Sequence, residues 1–309
     1  MTDPRLGNTP VSWSNGETKR GPSTRSSLTA RTLGAIPPPA LVLLGIVSVQ
    51  VGSALAKHLF SAVGSFGAVA LRLFFAAAVL LLFWRPSLRM NRRTWTVVLG
   101  YGLILGLMNE CFYLALARIP LGIAVTTEFL GPLAVALAGS RRWLDAFWAV
   151  LAAGGVVLLM EGRGDLDLVG FLFALAAGTC WGLYILVGAA LGRHTTKGNG
   201  LALGMAVAAL VAVPAGVAHS GTALIQPWVL VAGLGVALLS SVIPYTLDLE
   251  ALRKVPPGVF GILMSLEPAM AALVGLIVLR ESLHRSQWIA VLCVVAASAG
   301  ATRSARPDA

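Results

Sequence analysis

The sequence predicts an all-α polytopic membrane protein, with ten transmembrane helices arranged as two inverted five-helix repeats. Three observations carry that expectation. Of 309 residues, 57% are hydrophobic and only 12% charged, with a mean hydropathy of +0.83, whereas soluble domains carry roughly 25% charged residues. Apolar stretches of the ~17 to 25 residues that a bilayer crossing requires recur along nearly the whole chain after residue 38. A segment of the first half also returns 136 residues later in the second.

Residues 1–38 are different in kind. Ser, Thr, Arg, Gly and Pro dominate KRGPSTRSSLTAR and the rigid step IPPPA, a composition that reads as a disordered cytoplasmic tail. Arg and Ser are also frequent in transit peptides, but here the apolar run simply begins the membrane domain. Runs bounded by charged or Gly/Pro breaks then place helices near 40–60, 64–84, 95–117, 120–139, 143–160, 168–190, 199–217, 228–250, 257–279 and 287–302. The connection ARIP is so short that the third and fourth helices must be adjacent and antiparallel. The expected units are the tail, a first repeat over 39–161, a second over 162–303, and a short cytoplasmic tail over 304–309.

Basic residues near span ends stay preferentially on the cytoplasmic side. With the N-terminus inside, the inner segments hold 17 of the 23 Lys and Arg residues, and the outer loops hold only Arg118, Arg163, Arg280 and Arg285. Lys57 and Arg72 lie within spans. Both ends are therefore expected in the cytoplasm. Topology accounts for the net charge of +10 and the pI near 10.4, and no basic face or basic run with aromatics points to nucleic acid. Cys111, Cys180 and Cys293 fall in apolar segments without CxxC spacing and read as packing residues.

The repeat aligns YLALARIPLGIAVTTEFLGPLAVAL, from Tyr113, with LEALRKVPPGVFGILMSLEPAMAAL, from Leu249. Eight of 25 positions are identical, among them Pro120/Pro256, Gly122/Gly258 and Pro132/Pro268. Five crossings per copy make the second copy enter from the opposite side, the inverted-repeat arrangement of secondary transporters. Pro132 and Pro268 each remove the backbone hydrogen bond to the carbonyl four residues earlier, on Glu128 and Met264. Such kinks are expected to face protein or water rather than lipid.

Across residues 38–303 the arrangement resembles the drug/metabolite transporter superfamily, specifically its EamA-type members. More narrowly, RIPLGIAVTTEFLGPLAVAL, SRRWLDAFWAVLA and LEPAMAALVGLIVLRESLHRSQWIAV are similar to the threonine/homoserine-exporting branch of that superfamily in bacterial inner membranes. Val125–Thr127 is more polar and β-branched than that branch leads one to expect. The resemblance implies proton-coupled export of small hydrophilic amino acids by alternating access, without a cofactor or metal. The expected partners are substrate, protons and lipid, with a homodimer left open. Export of drugs or other metabolites, or a facilitative channel-like permease, stand as alternatives.

An intramembrane charge costs roughly 2.5 to 3.5 kcal/mol on insertion scales and calls for a partner or a function. Lys57, near a span end, is expected to reach the interface. Asp248 and Glu250 are expected to form surface ion pairs beside Arg253 and Lys254. Arg72, Glu110, Glu128 and Glu267 lie deeper. An amino-acid site needs an acceptor for the ammonium and an arginine for the carboxylate; Arg72 and Glu128 satisfy that need, or else form an ion pair between helices. Glu128 is the candidate for proton coupling. Asn109 and Tyr113, four apart on one helix face, and Tyr245, the repeat mate of Asn109, are candidate cavity residues, or else interhelical hydrogen-bonding groups. Trp181 and Tyr184 are candidate cavity walls, or else packing residues. Glu267 is the repeat mate of Gly131, so the two halves differ chemically.

Enzymes fit less well. His58, His194, His219 and His284 lie at span ends or in loops, away from any serine nucleophile, and Asp248 lacks a second buried aspartate. No Gly-Lys dipeptide is present to build a phosphate-cradling loop.

Overall fold

Apolar side chains such as Val231, Leu210 and Ile277 are turned outward, while Gln50, Asn109, Thr126 and Glu128 are buried. That pattern suits lipid outside and polar contacts within. The computed structural model describes residues 37–138, 143–161, 167–195, 198–252, 254 and 256–304. The tail expected over 1–38, apart from residues 37 and 38, lies outside them. So do Arg141, Arg142, Arg163, Lys197, Arg253 and Arg306 of the charge count, most of the 161–167 loop, and residues 305–309 of the C-terminal tail.

The described elements are all helical: α1 Pro38–Trp84, α2 Arg92–Leu116, α3 Leu121–Glu128, α4 Leu130–Ala138, α5 Trp143–Glu161, α6 Leu168–His194 and α7 Asn199–Ser220. A 3₁₀ turn, Gly221–Ile225, leads to α8 Pro227–Ala237, a π turn at Leu238–Val242, and α9 Ile243–Leu252. The chain continues through α10 Pro257–Met264, α11 Glu267–Val278 and α12 Arg285–Ser304. Among the described residues, seven helical stretches are long and apolar enough to cross a membrane: Pro38–Trp84, Arg92–Leu116, Leu121–Ala138, Leu168–His194, Asn199–Ile225, Pro227–Asp248 and Val259–Val278.

The first of these is kinked where the sequence reading parts two spans. The spans predicted at 40–60 and 64–84 form one helical element of 47 residues, which would measure about 70 Å if straight, more than twice the ~30 Å hydrocarbon thickness. It is broken at Gly64, whose φ of 65° and ψ of 178° belong to a region that glycine essentially alone occupies. The break frees the Val63 carbonyl, which accepts a hydrogen bond from Ser220 Oγ at 2.6 Å. Both arms then meet the π turn. A Cβ on Gly52 would lie against Ser240 Oγ, and the Ser240 carbonyl accepts from Arg72 at 3.1 Å.

The spans predicted at 120–139 and 257–279 are each interrupted, α3 from α4 at Phe129 and α10 from α11 at Ser265–Leu266. The cause lies in the sequence: Pro132 and Pro268 supply no N–H to the carbonyls of Glu128 and Met264. The repeat extends to backbone geometry. Pro120 (φ −57°, ψ 146°) and Pro256 (φ −58°, ψ 143°) each precede an eight-residue helix. The N–H groups of Phe129 and Ser265 then close equivalent bonds to Val125 and Gly261.

Glycines set the closest helix contacts. A Cβ on Gly131 of α4 would lie only 1.8 Å from the Gly178 carbonyl oxygen of α6. One on Gly178 would lie 2.6 Å from the Glu128 carbonyl oxygen. The carbonyl released by Pro132 is therefore covered by the Cα of a glycine.

Candidate functional site

A cavity of about 240 Å³ opens among α1, α2, α3, α6, the π turn, α9, α10 and α11. Seven residues singled out in the sequence line it: Arg72, Asn109, Glu128, Trp181, Tyr184, Tyr245 and Glu267. The two chain interruptions help to build this wall. Glu128 ends α3, and Glu267 begins α11 beside Pro268.

Tyr113 belongs one layer behind. It is fully buried, and its hydroxyl lies 3.4 Å from Arg72 Nη1, with the guanidinium carbon 5.5 Å from its ring centroid. Arg72 also donates to the Ser240 carbonyl at 3.1 Å and to Ser241 Oγ at 3.4 Å. None of these partners neutralises its charge. No ion pair within 4.0 Å joins Arg72 to Glu128 among the described residues, so the guanidinium is positioned by neutral groups.

Asn109 donates to the Leu105 carbonyl at 2.8 Å, one turn back on its own helix. Trp181 meets Phe129 edge-on, with centroids 5.4 Å apart, and Tyr184 packs on Tyr101 at 4.8 Å. Glu110 is buried with both carboxylate oxygens unpartnered, but it does not line this cavity.

Two expectations are corrected. Asp248 lines the cavity; it is Glu250 that pairs with Lys254, at 3.3 Å one helical turn away. Lys57 does not simply reach the interface. Its ammonium lies 2.6 Å from Glu281 Oε1 and donates to the Ile119 carbonyl at 3.2 Å. Glu281 Oε2 in turn accepts from the Leu121 N–H at 2.8 Å. The carboxylate fits because Gly275 carries no side chain; a Cβ there would lie 2.9 Å from Glu281 Oε2.

The sequence reading also missed Gln50 and Ser53 on α1 and Ser240 on the π turn, all on the cavity wall. Their spacing held one usable signal. Gln50, Ser53 and Lys57 recur at three and four residues in an otherwise apolar helix and share one face.

Residues 168–303 match the EamA-like transporter family. Over 275 residues, 87% of this chain, the sequence is 44% identical to the threonine/homoserine exporter RhtA of Salmonella typhimurium strain SL1344, spanning 93% of that protein. The chain belongs to the EamA-like transporter family. The RhtA protein of Escherichia coli K12 is 43% identical, over 88% of this chain and 93% of its own length. The uncharacterized transporter YwfM of Bacillus subtilis strain 168 is 25% identical over 238 residues, covering 74% and 80% of the two chains. One crystal structure superposes with a TM-score of 0.60 at 21% identity, over 86% of this chain and 98% of that one, a likeness of fold alone.

As an EamA-like transporter, the protein is a multi-pass membrane protein. The cavity's charge supports binding in either sense. Arg72 offers a guanidinium suited to a carboxylate, while Glu128, Asp248 and Glu267 provide three carboxyl groups around the same space.

Proposed function

We propose that the protein exports small hydrophilic amino acids of the threonine and homoserine class across a bacterial inner membrane, driven by the proton gradient through alternating access. The observation that carries this reading is the cavity walled by one guanidinium and three carboxyl groups. A zwitterion can use both signs at once, whereas a hydrophobic drug would leave them desolvated and unpaired. The printed activity of the two RhtA relatives supports the same substrate class.

In this reading Arg72 receives the substrate carboxylate and Glu128 carries the proton. The chain crosses the membrane ten times, as inverted repeats over 39–161 and 162–303, with both termini cytoplasmic. Support comes from the matched proline-capped helices, the two arms of α1, and the basic asymmetry. Lys57 and Glu281 close the cavity toward the non-cytoplasmic side while it is loaded from within. Opening that clamp and closing the opposite end would complete the cycle.

The test is transport in proteoliposomes with an imposed pH gradient and labelled threonine. Gradient-dependent movement that stops when an ionophore collapses the gradient is the expected result. Equal transport with and without the gradient would refute proton coupling, and no movement of threonine or homoserine would refute the substrate class.

A further inference from the structure

We propose that Gln50, Ser53 and Glu267 form the seat for the substrate's primary ammonium group, an assignment that rests on the amino-acid export reading. Gln50 Oε1, Ser53 Oγ and Glu267 Oε2 are each enclosed without a hydrogen-bond partner. Their residues are only 1%, 1% and 7% exposed, and all three belong to the wall of one cavity. Enclosed polar atoms are almost always paired, so these three acceptors point to a ligand that brings its own donors, while Ser240 Oγ, a fourth unpaired atom in the same wall, lies against Gly52.

The amide geometry fixes which atoms are available. Gln50 Nε2 donates to Glu267 Oε1 at 3.2 Å, which commits the donor side of the amide and leaves its carbonyl oxygen open. The same bond leaves Glu267 Oε2 as the open carboxylate oxygen. Ser53 follows Gln50 by three residues and sits on the same face of α1. The seat thus combines a carbonyl, a hydroxyl and one anionic oxygen. A primary ammonium has three N–H donors and a single positive charge, which matches that set in number and sign. A guanidinium has five donors in a rigid plane and matches it poorly.

This assignment separates two roles that the sequence had merged at Glu128. Glu267 takes the ammonium, Arg72 remains available to the carboxylate, and Glu128 is free to handle the proton. It also gives a reason for the chemical difference between the halves: Gly131, the repeat mate of Glu267, packs against Gly178, while Glu267 faces the cavity.

The test compares binding of L-threonine with that of its analogue bearing hydroxyl in place of the ammonium, on purified full-length protein in lipid nanodiscs. Wild type is expected to prefer threonine by about ten-fold or more. Ser53→Ala and Glu267→Gln should each weaken threonine by about ten-fold and leave the analogue unchanged. Ser53→Ala should keep the wild-type melting temperature, because its hydroxyl has no protein partner to lose. Equal weakening of both ligands, or unchanged threonine binding in both variants, would overturn the ammonium seat alone. So would sodium binding without substrate that Ser53→Ala abolishes, since the three oxygens would then hold a metal cation. Wild type that binds no threonine at all would overturn the export reading and this assignment with it.

Discussion

Lys57 Nζ and Glu281 Oε1 lie 2.6 Å apart and join residues 224 positions apart in the chain. The pair is further tied to backbone at both ends, Lys57 to the Ile119 carbonyl and Glu281 to the Leu121 N–H. Lys57 stands one turn beyond Ser53, and Leu121 begins the short helix that Glu128 ends. The clamp therefore fastens α1 and the start of α3 to the turn that follows α11.

Lys57→Met is expected to loosen that end. A single cysteine at Ser53, in a protein without its three native cysteines, should react several-fold faster with a membrane-impermeant thiol reagent applied from the Lys57 side. Exchanging the two residues, Lys57→Glu with Glu281→Lys, should not restore protection. Glu at 57 would face a carbonyl oxygen and Lys at 281 an N–H donor. Full protection in the exchanged protein would mean that only the charge pair matters.

Arg72 and Glu128 share the cavity without an ion pair, so their losses should be separable. Arg72→Gln is expected to raise the Kd for threonine about ten-fold or more, as for loss of a hydrogen-bonded charge. Glu128→Gln should abolish gradient-driven uptake while exchange between compartments of equal pH survives. The double variant should show both losses. Recovery of transport in the double variant would show that the two residues serve only each other.

Gly131→Ala and Gly178→Ala should each destabilise the protein by about 1 to 3 kcal/mol, because the added methyl meets backbone rather than a side chain that can turn aside. Gly154→Ala and Gly192→Ala, also helical but with open space around the Cβ, should be neutral or stabilising by up to about 1 kcal/mol. Thermal unfolding of the purified proteins in one detergent compares the four. Equal effects at all four positions would refute the close packing of α4 on α6.

Asp167 caps α6, accepting from the N–H groups of Val169 at 2.9 Å and Gly170 at 3.1 Å and from Arg118 at 3.0 Å. The Gly170 N–H, followed by the Arg118 bond, holds its carboxyl below the ordinary carboxylate range. A lowered folded-state pKa gives stabilisation that is present above the unfolded value of about 3.9 and lost as pH falls through the folded value. Asp167→Asn keeps a capping oxygen but cannot titrate. The wild-type melting temperature should therefore fall more steeply below about pH 4 than that of Asp167→Asn. Identical slopes would show that this carboxylate contributes nothing to acid sensitivity.

Orientation is open to a direct measurement. Cysteines replacing Ser87 and Thr222, both exposed, should be labelled from the cytoplasmic and the opposite side respectively. The reverse pattern would invert the topology read from the basic residues.

By itself, the sequence determined which segments are helical and where two of them break. Both properties are local: long apolar runs favour hydrogen-bonded helix in lipid, and Pro132 and Pro268 remove particular bonds within a few residues. It also marked Arg72, Glu128 and Glu267, because a charge within an apolar run stands out against its neighbours. Tertiary structure decided which polar groups share a space. Gln50 and Glu267 are 217 positions apart, and nothing local indicates that they meet. Asp248 looked like a surface residue because basic neighbours follow it in the chain, yet a helix turns each residue by about 100° and carried it onto the cavity wall. Lys57 looked able to reach the interface because its partner is supplied by a turn beyond α11. Gln50 and Ser53, uncharged and isolated in a long apolar run, leave little trace in a hydropathy reading. Only packing α1 against α11 shows that their acceptor atoms are enclosed without donors.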